Sequence, residues 1–77
     1  MIKKEIKQIM SKVFDLDIDT ISDNAIQKDI IKWDSLNHLN LVVEIEDYYD
    51  ISIEPEDISE MVSIDQILII INKYKNV

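Results

Sequence analysis

No glycine occurs anywhere in these 77 residues. Glycine is the residue that most easily closes a helix in the left-handed conformation, and it lets a backbone approach a phosphate closely. A chain without it must end its helices on other residues. It also cannot build the glycine-rich phosphate loop of nucleotide hydrolases or the dinucleotide-binding fingerprint. Asp and Asn tolerate left-handed backbone better than most other residues, and Asp50, directly after an apolar-periodic run, is the expected end of one helix.

Cysteine is absent as well, which removes a disulfide framework, a thiolate metal site and a thiol nucleophile, and fits a reducing compartment. At this length we expect a single domain over residues 1–77 with a simple core, and 47% hydrophobic residues argue against disorder. The opening "MIKKEIKQIM" mixes charges throughout, unlike a secretory signal, and the longest apolar run, "ILIII" at Ile67 to Ile71, is far too short to span a bilayer. The expectation is a soluble, cytoplasmic protein with no membrane insertion.

The net charge of -8 is unevenly placed. Residues 1–32 hold six lysines and six acids, whereas Trp33 to Asn72 hold ten acids and no lysine or arginine. Such a half repels nucleic acid and attracts basic partner surfaces, although a merely solubilising acidic surface would have the same composition.

Ile2, Ile6, Ile9, Met10, Val13 and Phe14 recur at helical spacing, so residues 2–14 read as a first amphipathic helix. From Asp15 to Asp34 the period dissolves into a long loop, which Leu16, Ile18, Ile21, Ile26, Ile30 and Ile31 should pin to the core. A second helix starts at Asp34 or Ser35, both good caps, and carries the apolar pattern Leu36, Leu39, Val42, Val43, Tyr49; Asn37, Asn40, Glu44 and Asp47 form its wet face. Pro55, Glu56 and Asp57 look like the first turn of a short helix ending near Met61. "SIDQ" at Ser63 to Gln66 is a capping box that opens a last helix running to about Lys75, with Lys73 and Lys75 at its negative end. The "ILIII" run could be a buried strand, but nothing else in the chain is available to pair with it.

Two arrangements resemble catalytic or metal sites and fail on inspection. Asp15, Asp17, Asp19 and Asp23 match positions of a calcium loop, yet Thr20 stands where the turn needs glycine and Ile26 where a bidentate glutamate is needed. Ser35 and His38 are spaced as a nucleophile and its base, but a short glycine-free chain has little with which to build an oxyanion hole; a surface histidine near a helix start is the simpler reading. We therefore expect no metal site and no catalytic residue. Ser35 keeps two readings: a plain helix cap, or an attachment point whose neighbouring free amides and positive dipole end would seat a phosphodiester.

The "DSL" at Asp34 to Leu36, the run "LNLVVEIEDYYDISI" after it, the acidic second half and the length together resemble the acyl carrier proteins. The resemblance covers nearly the whole chain and implies an all-α antiparallel four-helix bundle of three main helices and one short one. It implies that Ser35 receives 4'-phosphopantetheine from coenzyme A under a separate phosphopantetheinyl transferase, and that the terminal thiol carries acyl groups as thioesters. Asp34 matches the acid that helps place the transferase's metal. Leu36, Leu39 and Val43 match apolar positions that meet partner enzymes, and Leu41, Val42, Ile45 and Tyr49 match the core lining. Asn37, Asn40, Glu44, Glu46 and Asp47 complete the expected partner face toward acyl-loading and acyl-transfer enzymes with basic docking surfaces.

The chain departs from the fatty-acid carriers at Asn37 and Asn40, where those commonly show acids, and it adds Trp33 two residues before the serine. A dedicated carrier for a polysaccharide, secondary-metabolite or aminoacyl pathway fits at least as well as fatty-acid synthesis, though aminoacyl carriers often have a glycine in the serine motif. The expectation is a monomeric carrier that is not an enzyme, and the alternative is an unmodified acidic helical adaptor. Ten acids within forty residues repel one another at neutral pH, so added salt or millimolar magnesium should raise the melting temperature. A melting curve indifferent to both would mean that the acids are well spread or already paired with the lysines of the first helix.

Overall fold

The computed structural model describes residues 2–75. Its helices are α1 (Ile2–Phe14), α2 (Ser35–Tyr49), α3 (Pro55–Ile58) and α4 (Ile64–Tyr74), with short 3-10 turns at Ile18–Thr20 and Gln27–Asp29. This is the helical bundle the sequence leads one to expect, three long helices and one short. The buried stripe of α1 is Ile6, Ile9, Met10 and Phe14. It meets Leu41, Val42, Ile45 and Tyr49 of α2 and Ile64, Ile67, Ile70 and Ile71 of α4 in one core. The start of α1 touches the end of α2, where the Tyr49 hydroxyl donates to Glu5 at 2.9 Å, and Phe14 at the other end packs on Trp33 just before α2. The two helices therefore run antiparallel.

Aspartate takes the place of glycine at the ends of α1 and α2. Asp15 and Asp50 adopt φ of 54° and 55°. Beyond them the Leu16 amide reaches the Ser11 carbonyl at 3.1 Å and the Ile51 amide reaches that of Glu46 at 3.0 Å, the six-to-one bond of a Schellman close. Asp50 was expected in this role and Asp15 was not.

"ILIII" is helical. Ile67, Ile70 and Ile71 are buried, Leu68 is half-buried and Ile69 is exposed, a pattern with helical and not strand period. Ser63 caps α4 by accepting from the Gln66 amide at 3.1 Å. Lys73 and Lys75 send their hydrogen bonds to other elements and not to the carbonyls of their own helix. Lys75 donates to the Tyr49 carbonyl at 2.8 Å, at the end of α2. Lys73 binds both carboxylate oxygens of Asp57 at 3.1 and 2.9 Å.

The loop departs from expectation in which residues hold it. Ile21 is buried and Leu16 and Ile30 pack on the core as expected, and Ala25 and Trp33 are buried as well, whereas Ile26 is exposed and Ile31 is 97% exposed. The cause lies in the backbone. An isolated antiparallel bridge joins Ile26 to Ser63, with the Gln27 amide on the Val62 carbonyl at 2.8 Å and the Ile64 amide on the Ala25 carbonyl at 3.0 Å. Alternation along this extended stretch turns Ala25 inward and Ile26 outward. Helix α3 is also shorter than expected and does not reach Met61. The Glu60 and Met61 amides bond three residues back, to the Asp57 and Ile58 carbonyls at 3.0 and 3.2 Å, which tightens the turn and drops Met61 fully into the core.

Asp57 is the one buried charged side chain among the described residues. Besides Lys73 it accepts a short hydrogen bond from the Tyr74 hydroxyl, which in turn accepts from the Glu54 amide at 2.9 Å. This joins α3 to the end of α4. The Tyr74 hydrogen bond, and then that of Lys73, hold the Asp57 carboxyl below its ordinary value of 3.8. A carboxyl depressed by folding contributes stability above its unfolded pKa, and that contribution is lost as pH falls through the folded pKa. Asp57→Asn should therefore be less stable than the wild type near neutrality, and the gap should close as pH falls below about 4. Urea midpoints of both proteins from pH 7 to pH 2.5 test this; a gap constant with pH would show that Asp57 acts by packing and not by charge.

Candidate functional site

The junction of the loop with α2 carries the candidate chemistry. Asp34 is extended, and its Oδ1 accepts from the Asn37 amide at 2.8 Å while its carbonyl accepts from the His38 amide at 2.8 Å. Asp34 is therefore the cap and Ser35 the first helical residue. The reading of Ser35 as a plain cap fails on this geometry. Ser35 is exposed, and none of the hydrogen bonds among the described residues uses its hydroxyl.

The first four amides of a helix lack an intrahelical partner. Here the Asp34 carboxylate satisfies that of Asn37, and His38 already makes the first intrahelical bond to the Asp34 carbonyl, which leaves the amides of Ser35 and Leu36 beside the exposed hydroxyl. A phosphodiester on the Ser35 oxygen could use both amides and the positive end of the helix. The residues present thus fit such a group.

His38 is not a base for Ser35. Its Nδ1 accepts from the Trp33 indole Nε1–H at 2.9 Å, and its Nε2 lies 2.8 Å from the Ile58 carbonyl. An acceptor at Nδ1 fixes the neutral tautomer with the proton on Nε2, which donates to Ile58. It is half-buried, not the surface histidine expected. The acids of the loop do not gather either: Asp17 caps its own turn by accepting from the Asp19 amide at 3.0 Å. Among the described residues no group of three or more His, Cys, Asp or Glu is placed to hold a metal.

The apolar residues expected to face partners do face solvent. Leu36, Leu39 and Val43 are 70%, 55% and 53% exposed on the outer side of α2. Asn40 and Asp47 are exposed beside them. The other three polar positions of the expected partner face are engaged within the chain. Asn37 is half-buried and donates to the Lys32 carbonyl at 2.8 Å, and its oxygen accepts from Asn40 at 3.2 Å. Glu44 pairs with Lys12 at 2.8 Å. Glu46 accepts from the Ile53 amide at 2.8 Å and so locks the connection between α2 and α3.

Residue reasoning missed Ile31 as a surface residue; it is almost wholly exposed, four residues before Ser35. The available signal was the adjacent pair Ile30 and Ile31, of which one must face away from the core. It also missed Gln27, whose side-chain amide donates to the Trp33 carbonyl at 3.1 Å, and no sequence signal points to that.

The phosphopantetheine attachment site family matches residues 4–71 of this chain. The chain belongs to this family. An acyl carrier protein from Buchnera aphidicola subsp. Schizaphis graminum (strain Sg) is similar to it, with 32% identity over 71 residues that cover 92% of this chain and 90% of the relative. The family's prosthetic group is 4'-phosphopantetheine, and its members are carriers and not enzymes. No helix among the described residues is long and apolar enough to cross a membrane.

Because Asp34 supplies the cap, the two residues should respond differently to truncation. Asp34→Ala should cost about 1 kcal/mol, the ordinary value of a lost helix cap, while Ser35→Ala should leave stability unchanged within error. Urea unfolding of both variants checks this, and an equal loss in the two would return the capping role to Ser35.

Proposed function

We propose that the chain is a carrier domain whose Ser35 bears the 4'-phosphopantetheine arm. The observation that carries this reading is the exposed Ser35 hydroxyl at the start of α2, with the cap supplied by Asp34. In the transfer catalysed by a separate transferase, the Ser35 oxygen attacks the pyrophosphate of coenzyme A. The new oxygen–phosphorus bond replaces the one to 3',5'-ADP, and the hydroxyl proton passes to a base of the transferase. Asp34 precedes the reacting residue, and with one oxygen keeping the cap its other could help place the transferase's metal. The attached arm supplies the thiol that this cysteine-free chain lacks, and holds acyl groups as thioesters.

The chain's own part is then presentation. Leu36, Leu39 and Val43, with Ile31 before the serine in the chain, offer apolar contact to the transferase and to acyl-loading and acyl-transfer enzymes. Asp47 and the exposed acids beyond it supply long-range attraction to basic docking surfaces. The polar side chains next to the serine, Asn37 and Asn40, bear no charge and bond to each other. That arrangement weakens charge steering near the docking point and favours dedicated partners of a polysaccharide or secondary-metabolite pathway over those of fatty-acid synthesis. We place the protein in the cytoplasm, as a monomeric single domain.

Incubation of the apo protein with coenzyme A and a broad-specificity phosphopantetheinyl transferase should add the mass of one phosphopantetheine, and Ser35→Ala should gain none. Modification that persists in the alanine variant would move the site elsewhere. Absence of modification in the wild type would leave an acidic adaptor as the better reading.

A further inference from the structure

The residues just before Ser35 are held more tightly than a helix start requires. The Lys32 carbonyl accepts from the Asn37 side chain at 2.8 Å and the Trp33 carbonyl from the Gln27 side chain at 3.1 Å. The Trp33 ring is 2% exposed, packs on Phe14 with centroids 5.6 Å apart, and gives its indole N–H to His38 at 2.9 Å. His38 stacks at 23° to that ring and gives its own proton to the Ile58 carbonyl at 2.8 Å. A buried indole N–H without an acceptor is costly, so His38 is what allows Trp33 to sit where it does.

The consequence falls on the residues between them. Trp33 and His38 are joined through the backbone of Asp34, Ser35, Leu36 and Asn37, and the side-chain bond closes that segment into a ring. Helix ends ordinarily fray. Here the first turn of α2 cannot open without straining a partly buried hydrogen bond that is itself anchored to the end of α3. We infer that His38, acting through Trp33, is a positioning residue that holds the Ser35 hydroxyl in one place for phosphopantetheine transfer. The inference rests on Ser35 being the attachment residue.

Rate is sensitive to small displacements of a reacting atom, whereas docking depends on the outer face of α2, which His38 does not join. His38→Leu removes both hydrogen bonds and should lower kcat of the transferase about tenfold, with KM for the apo protein nearly unchanged. His38→Gln can accept from Trp33 with its oxygen and donate to Ile58 with its nitrogen, and should return kcat to within about twofold of the wild type. Trp33→Phe keeps a ring on Phe14 but has no N–H to give, so it should lower kcat in the same way.

The assays are run at a temperature where circular dichroism shows each variant fully folded, and amide hydrogen exchange is recorded alongside. The Asn37 amide, bonded to the Asp34 carboxylate in the wild type, should exchange faster in His38→Leu and Trp33→Phe but not in His38→Gln. If His38→Leu does not fold, Trp33→Phe carries the same expectation. Unchanged kcat in the leucine and phenylalanine variants, or equal losses in the leucine and glutamine variants, would overturn the inference. A wild type that takes no phosphopantetheine would instead overturn the carrier reading beneath it.

Discussion

The hydrogen bond from the buried Trp33 indole to His38 is the contact on which the serine end of the bundle depends. Trp33 supplies a large apolar surface that the core needs beside Phe14, the last residue of α1. Its N–H comes inward with that surface and must find an acceptor there. His38, one turn into α2, is that acceptor, and its second nitrogen fastens the end of α3. Four parts of the chain (α1, the long loop, α2 and α3) thus meet through two adjacent rings. The exposed Ser35 is the turn of backbone that runs outside them.

Much of the acidic half serves the fold before it serves any partner. Asp34 caps α2 and Asp50 closes it in the left-handed conformation. Glu46 binds the Ile53 amide, and Asp57 gathers Lys73 and Tyr74 at the junction of α3 and α4. Each is a task that needs an acceptor or a tolerant backbone, and in a chain without glycine aspartate does both. The lysines of α1 take further acids, Lys3 with Asp65, Lys7 with Asp23 and Lys12 with Glu44, although exposed pairs of this kind contribute little stability. Of the ten acids of that half, Glu44, Asp57 and Asp65 have a lysine partner. Along α2 after Ser35 the nearest outward residues, Leu36, Leu39, Asn40 and Val43, are apolar or neutral.

Helices α1, α2 and α4 were legible because each buries a stripe at helical spacing, and a stripe is a local property of sequence. The same holds for the αL aspartate at Asp50, the proline at the start of α3 and the Ser63 cap. The outward placing of Leu36, Leu39 and Val43 came from the resemblance to the acyl carrier proteins, because periodicity alone groups them with Val42 and Tyr49 in one apolar pattern, whereas the buried stripe is Leu41, Val42, Ile45 and Tyr49. What could not be read were bonds between residues distant in the chain. The bridge from Ile26 to Ser63 turned an expected core isoleucine outward. Glu46 was drawn from the partner face by the Ile53 amide; the early stop of α3 is instead local, its last turn tightened by bonds only three residues long.

By itself, then, the sequence determined that the chain is helical, where its long helices lie, that an aspartate and a serine head the second of them, and that its own side chains include no reactive sulfur. These follow from periodicity, capping chemistry and composition, none of which needs a partner elsewhere in the chain. Only the tertiary structure decided that Asp34 and not Ser35 is the cap, that His38 is committed to Trp33 and Ile58, and that Asn37 supports the loop beneath the serine. Asp and Ser cap helices about equally well, and imidazole or amide groups bond whatever lies within reach, so their roles are set by which groups the packed core brings alongside.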